Sequence, residues 1–254
     1  MSDIVTERSG SILSVQLNRP DKKNAMTSSM YVTMAGMLDD AARDEQVRVV
    51  LWHGAGDSFS AGNDLEDFMK NPPGPGQSPQ AQLINALMNF EKPLVAAVRG
   101  AAIGGGTTML AHCDFVYAGA SAKFQVPFVN LGLVPEFGSS YLLPLRFGYV
   151  RAAGLILLGQ PFDALRAAEL GLVTQVVPDQ MVLATATETA RKLAEKPAAA
   201  LQACKRLMRG AVREQLEHAV KLENEEFAAR VTSPEAKEAF RAFFAKRQPA
   251  HHPQ

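Results

Sequence analysis

Glu136 is the only carboxylate in the apolar run Leu131–Phe137, and it stands roughly thirty residues after three consecutive glycines, Gly104-Gly105-Gly106. Those glycines follow the strand-like stretch Leu94–Val98 and lead into Thr107–His112, which reads as the first turns of a buried helix. Glycines at such a junction let a bare backbone approach a ligand, with its N–H groups pointing at the ligand. A pocket of main-chain donors with one acid beside it suits chemistry on a carbonyl whose oxygen becomes negative.

Taken singly, each feature has a plainer reading. The glycine run also serves close packing of a helix on a strand, and a lone buried acid is commonly salt-bridged. The run is not the dinucleotide fingerprint, since Thr107, Thr108 and Met109 follow Gly106 with no third glycine. Nor is it a phosphate-binding loop, because no Gly-Lys-Ser/Thr follows. His112-Cys113-Asp114 has the right residue types for a catalytic trio, but adjacent residues cannot converge on one point, so Cys113 reads as core. Ser139-Ser140 lacks the Gly-x-Ser-x-Gly elbow of a serine hydrolase. The five histidines and two cysteines show no metal-ligand spacing, so no metal is expected.

The elements that must position Glu136 and the glycines read as α/β. Ile12–Leu17 is a strand ending at the turn-prone Asn18–Asp21. Thr27 or Ser28 caps a helix with Met30, Met34, Met37 and Leu38 on one stripe, methionines that read as core packing. Val47–His53 suits a strand buried on both faces, Gly54–Ser60 turns the chain, and Asp114–Tyr117 is a further strand. Asn71–Pro79 is the most loop-like stretch, either a lid over a site or a tolerated insertion. Asp163 caps Ala164–Leu170, Gly171 stops it, and Leu172–Val177 is a last short strand. Helical segments then run from Gln180 to Lys246, with Ser233-Pro234-Glu235 opening the final helix. A break near 195–200 divides a core, 1–196, from a helical C-terminal piece, 197–254. Phe240, Phe243 and Phe244 form a face that three short helices cannot bury alone, which points to packing on another subunit.

At 254 residues the chain buries about three quarters of its unfolded surface, so a core forms without staples. Lys plus Arg and Asp plus Glu both count 26, a balance that argues against a nucleic-acid or anionic-membrane partner. Pro93–Leu110 is long and apolar, yet Arg99 and four glycines within it favour strand–turn–helix over a membrane span. Cys113 and Cys204 read as reduced core residues. With no basic-then-apolar leader at the N-terminus, a cytoplasmic location is expected.

Four motifs in one order change the weight of the separate signals: Arg19–Met26 (RPDKKNAM), Phe59–Leu65 (FSAGNDL), Gly100–Gly106 (GAAIGGG) and Leu131–Gly138 (LGLVPEFG). With Leu158–Ala164 they resemble the crotonase, or enoyl-CoA hydratase/isomerase, superfamily over essentially the whole chain. The resemblance implies a spiral of ββα units making two sheets, closed by C-terminal helices that build trimers or dimers of trimers. It also implies acyl-CoA thioester substrates, with coenzyme A as part of the substrate and no separate cofactor. By position, the N–H groups of Asn63 and Gly105 form an oxyanion hole, and the side chain at 63 is free to vary. Ala25, Ala61, Asp64 and Leu65 fall where the family cradles adenine and pantetheine, and Lys22 or Lys23 meets phosphates.

The departures from the family carry the functional reading. Hydratases of this family hold the attacking water between two glutamates, at positions occupied here by Thr108 and Phe128. Both carboxylates are missing, so those two positions are left to substrate contact. Glu136, in Pro-Glu-x-x-Ser-Ser, instead matches the Δ3,Δ2-enoyl-CoA isomerases, in which that acid alone shuttles the proton. The expected function is isomerisation of 3-enoyl-CoA to trans-2-enoyl-CoA. The alternatives are hydration, another one-acid reaction on acyl-CoA, or a silent acyl-CoA-binding member.

Overall fold

The computed structural model describes residues 2–74 and 78–247. A hairpin of β1 (Ile4–Ser9) and β2 (Ile12–Leu17) is followed by a 3₁₀ turn, Pro20–Lys22, and by α1 (Ser28–Arg43). Thr27 caps α1, its hydroxyl accepting from the Met30 amide at 3.4 Å, and Met30, Met34 and Leu38 are buried at helical spacing. β3 (Val49–Gly54), α2 (Leu65–Lys70), α3 (Pro79–Asn89) and β4 (Leu94–Val98) come next. Ser78 caps α3 and Pro79 takes its first position, where a missing N–H costs nothing. Residues 75–77 of the loop-like stretch lie outside the described residues.

From β4 to β7 the strands alternate between two sheets, and β8 and β9 then add one strand to each. β4 joins the large sheet and β5 (Ala101–Ile103) the small one; after α4 (Gly105–Thr108) and a 3₁₀ turn, Met109–His112, β6 (Phe115–Gly119) and β7 (Lys123–Gln125) repeat the step. A 3₁₀ turn at Phe128–Leu131, α5 (Ser139–Phe147) and α6 (Tyr149–Leu158) lead to β8 (Phe162–Asp163) in the small sheet. After α7 (Ala164–Glu169), β9 (Gln175–Val177) returns to the large sheet. Each turn thus gives one strand to each layer, which is the expected spiral. The large sheet runs β1-β2-β3-β4-β6-β9, parallel except for the β1–β2 hairpin.

The central strands are apolar on both faces because both are covered. Val50, Trp52, Leu94, Ala96 and Val116 face the main core, with α1 and α3. Their alternating neighbours Val49, Leu51, Val95, Ala97 and Tyr117 face Val182, Ala186 and Ala190 of α8 (Val182–Ala194).

Three helices close the chain: α9 (Ala198–Gly210), α10 (Arg213–Val231) and α11 (Pro234–Arg247). Two readings from sequence are corrected here. Cys204, on α9, is exposed rather than part of the core; only Cys113 is buried. Of the aromatic face of α11, Phe240 needs no partner, being buried within the protomer edge-on to Phe68 with ring centroids 6.3 Å apart, while Phe243 is 39% exposed. Among the described residues no helix is long and apolar enough to cross a membrane.

Candidate active site

Two loops meet over the N-terminus of α4. A parallel bridge pairs Met26 with Asn63: the Met26 amide donates to Gly62 O at 2.7 Å, and the Asp64 amide donates to Met26 O at 2.8 Å. That pairing turns the N–H of Asn63 itself away from Met26, and among the described residues it has no main-chain acceptor. The Gly105 N–H is likewise free of one, as expected for the first residue of a helix. The two loops are in contact: a β-carbon at Gly62 would lie 3.5 Å from the Gly105 nitrogen. Asn63 and Gly105 therefore offer neighbouring, unspent N–H donors.

These loops line a cavity of about 670 Å³. Lys22, Lys23, Ala25, Ala61, Asp64 and Leu65 line it, together with Asn63, Gly105 and Phe128. The opposite wall is α11, through Ala239, Ala242, Phe243 and Phe244. Asp64 also braces its own loop, accepting from Arg19 at 2.9 Å and capping α2 through the amides of Glu66 and Asp67. Thr108 is not brought to the cavity. It is fully buried, and its hydroxyl donates back to Gly104 O at 3.2 Å within α4.

Glu136 is itself absent from the cavity lining and lies directly behind Gly105, which does line it. A β-carbon at Gly105 would be 2.8 Å from Glu136 Oε1, 3.1 Å from the Tyr31 hydroxyl and 3.2 Å from Met26 Cε. Only 4% exposed, Glu136 is held in place by polar contacts at both ends of the residue. Its Oε1 accepts from Asn63 Nδ2 at 3.1 Å, and its carbonyl accepts from Ser139 Oγ at 2.6 Å. Burial, and secondarily the charge of Glu223, push its carboxyl up to about 8, against a smaller opposing effect of the Asn63 hydrogen bond. A carboxyl so displaced titrates where a proton carrier must.

The turn presenting Glu136 is strained. Phe137 has φ of 63° and Gly138 φ of 67°, and an aromatic residue in the left-handed region is a costly choice. His112 holds the turn, its Nε2–H donating to Phe137 O at 2.7 Å while Nδ1 accepts from Arg209 at 3.3 Å. An arginine can only donate and a carbonyl only accept, which fixes the neutral tautomer. Burial first, and then Arg209, depress the imidazole to about 3. His112, Cys113 and Asp114 do diverge: Asp114 turns to the Leu94 amide and Lys205, and burial drives the Cys113 thiol up to about 12.

Three contributors escaped the sequence reading. The sequence presents Asn63 as a main-chain donor with a variable side chain, yet that side chain bridges Glu136 to the Tyr31 hydroxyl, which donates to Asn63 Oδ1 at 2.7 Å. Tyr31 and Glu223 sit among the buried residues of α1 and α10, where nothing in the local pattern marks them for a role at the site. Among the described residues no group of three His, Cys, Asp or Glu side chains is placed to hold a metal ion.

Comparison with known proteins agrees with this architecture. Residues 7–254 match the family model described as enoyl-CoA hydratase/isomerase. A 1,2-epoxyphenylacetyl-CoA isomerase of Escherichia coli K12 is 36% identical, with 98% of each chain covered. Enoyl-CoA delta isomerase 2 of Rattus norvegicus is 35% identical over 96% of this chain and 64% of its own length. The crystal structure of an enoyl-CoA hydratase/isomerase from Pseudoalteromonas atlantica T6c superposes with a TM-score of 0.91 at 40% identity, covering 99% of this chain and 100% of that one. With its alternating two-sheet spiral, its paired free amides and its match over nearly the full length, the chain belongs to the enoyl-CoA hydratase/isomerase, or crotonase, superfamily.

Proposed function

We propose that this enzyme of the crotonase superfamily converts 3-enoyl-CoA to trans-2-enoyl-CoA, with Glu136 as the sole proton carrier. The observation that carries the reading is one buried carboxylate packed against Gly105, and the family resemblance puts Thr108 and Phe128 at the positions where hydratases carry their acids. The substrate thioester oxygen accepts from the amides of Asn63 and Gly105. Glu136 removes a proton from C2, and the electron pair spreads into a dienolate whose oxygen those amides hold. The protonated Glu136 then delivers the same proton to C4, moving the double bond to C2–C3. No electrons are gained or lost and no water enters, so the reaction needs no cofactor beyond the coenzyme A that the substrate carries.

Each oxyanion donor is worth about 2.7–4 kcal/mol in the transition state, and a positioned acid–base group about 10²–10⁴ in rate. Lys22 and Lys23, exposed at the cavity mouth, suit the coenzyme phosphates, and the apolar wall of Phe128, Phe243 and Phe244 suits the acyl chain. Hydration needs a water oriented and deprotonated for attack at C3 and a proton delivered at C2, work for which the hydratases of the family use two carboxylates where this chain offers one.

The test is a panel of 3-enoyl-CoA and 2-enoyl-CoA thioesters assayed for both reactions. Isomerisation is expected to exceed hydration by at least a few hundredfold, within the ~10²–10⁴ span of acid–base catalysis. Comparable rates for the two would defeat the assignment.

A further inference from the structure

Glu223 lies on α10, in the C-terminal helical piece, and lines no part of the cavity. It is nevertheless buried, 6% exposed, and its two carboxylate oxygens are both committed to the turn that carries Glu136. Oε2 accepts from the Gly138 amide at 2.6 Å and Oε1 from the Ser140 amide at 2.7 Å. These are donors at the N-terminus of α5, where the capping position is Gly138 and no side chain of its own can serve. Glycine suits position 138, where φ is 67° and a β-carbon would stand 2.3 Å from Leu216 Cδ1, so that any side chain there would be strained and would push Leu216 aside. The left-handed pair Phe137–Gly138 is thus pinned at one carbonyl by His112 and at two amides by Glu223.

We propose that Glu223 is a positioning residue for Glu136, clamping the strained turn from α10 and setting its own negative charge against the carboxylate that this turn presents. The proposal rests on the reading of Glu136 as proton carrier. The groups facing Glu136 are Tyr31 from α1, Asn63 from the loop before α2 and Glu223 from α10. Behind the turn stands His112, with Arg209 beyond it. Tyr31 is held protonated by burial and by Glu136, and His112 is neutral above acid pH. Among them only Glu223 supplies a charge that acts on Glu136 in the working range, and it raises the proton affinity there. Glu223 is itself pushed up to about 7 by burial, against its amide hydrogen bonds, so the two acids titrate as a pair.

The experiment is the pH dependence of trans-3-hexenoyl-CoA isomerisation by wild type, Glu223→Gln, Glu223→Asp and Glu136→Gln. In the wild type the rate rises with pH as Glu136 loses its proton, near pH 8. Glu223→Gln removes the negative charge and one of two acceptors. Its acid-side midpoint is expected to fall by about one pH unit or more, and its plateau kcat by about tenfold or more, with KM little changed. Glu223→Asp keeps the charge and should keep the high midpoint while losing plateau rate. An unmoved midpoint in a folded Glu223→Gln enzyme overturns the proposal. If Glu136→Gln keeps its rate, it is instead the proton-carrier reading that fails. Should Glu223→Gln not fold, the carboxyl resonances of ¹³C-labelled glutamate in the wild type decide the question. Two buried carboxyls whose midpoints displace each other support the coupling, and a Glu136 that titrates independently of Glu223 overturns it.

Discussion

Gly105 shows how closely the site is drawn at the scale of single residues. Gly105 lines the cavity and its N–H has no main-chain acceptor among the described residues, while the place a β-carbon would take is 2.8 Å from Glu136 Oε1. Gly105→Ala would therefore press on the far ends of three side chains, hardest on Glu136 and less on Tyr31 and Met26, rather than on backbone, so the fold should survive while the carboxylate moves. Misplacement of a reacting group by an ångström costs on the order of 10² in rate. Gly105→Ala is thus expected to keep a near-native melting temperature and lose at least about tenfold in isomerase kcat. A rate within about twofold of wild type would mean that Glu136 does not act from behind Gly105. The sequence made Gly105 and Glu136 legible because a glycine run and an acid in an apolar stretch are unusual in themselves. It did not make the Asn63 side chain legible, since an asparagine after Ala-Gly reads as ordinary turn chemistry and its partners are distant in sequence, at positions 31 and 136.

At the scale of elements, the strands and caps followed from local rules. Val49–Gly54 is apolar without alternation because α8 covers one face and the main core the other. Thr27, Ser78, Asp163 and Ser233 all accept from a main-chain amide at a helix start. α5 departs from that rule. Its capping residue is glycine, and the missing acceptor comes from Glu223 on α10, a service that no local pattern announces. The same holds for α11, whose aromatic face was legible but whose docking site was not. Phe240 meets Phe68 across 172 positions of sequence, a contact that only tertiary structure supplies. The C-terminal helices, which the sequence presents as an assembly segment, therefore also wall the cavity and brace the turn that carries Glu136.

At the scale of the whole molecule, apolar side chains stand uncovered on α6 most of all, with Leu207 and Met208 of α9 and Phe243 of α11 also exposed. Tyr149, Val150, Leu157 and Leu158 are 74%, 83%, 64% and 63% exposed, on one helix whose mean character is apolar. Such a face on a folded protomer marks a contact surface, and with the family resemblance it supports a homotrimer or a dimer of trimers. Light scattering at micromolar concentration is expected to give about three or six times the 27.4 kDa chain mass. A monomer under those conditions would contradict the assembly. The catalytic account does not depend on that result, because Asn63, Gly105 and Glu136 all belong to one chain and lie within contact of one another.

The measurement that bears most directly on the account is the isomerase rate of Glu136→Gln on a good 3-enoyl-CoA, with acyl-CoA affinity measured beside it. Glutamine keeps the shape of the side chain and an oxygen for Asn63 Nδ2, and it deletes only the group that takes and returns the proton. The account predicts a fall in kcat of at least about 10², with affinity almost unchanged. A Glu136→Gln enzyme that retained more than about a third of the wild-type rate would show that another group moves the proton.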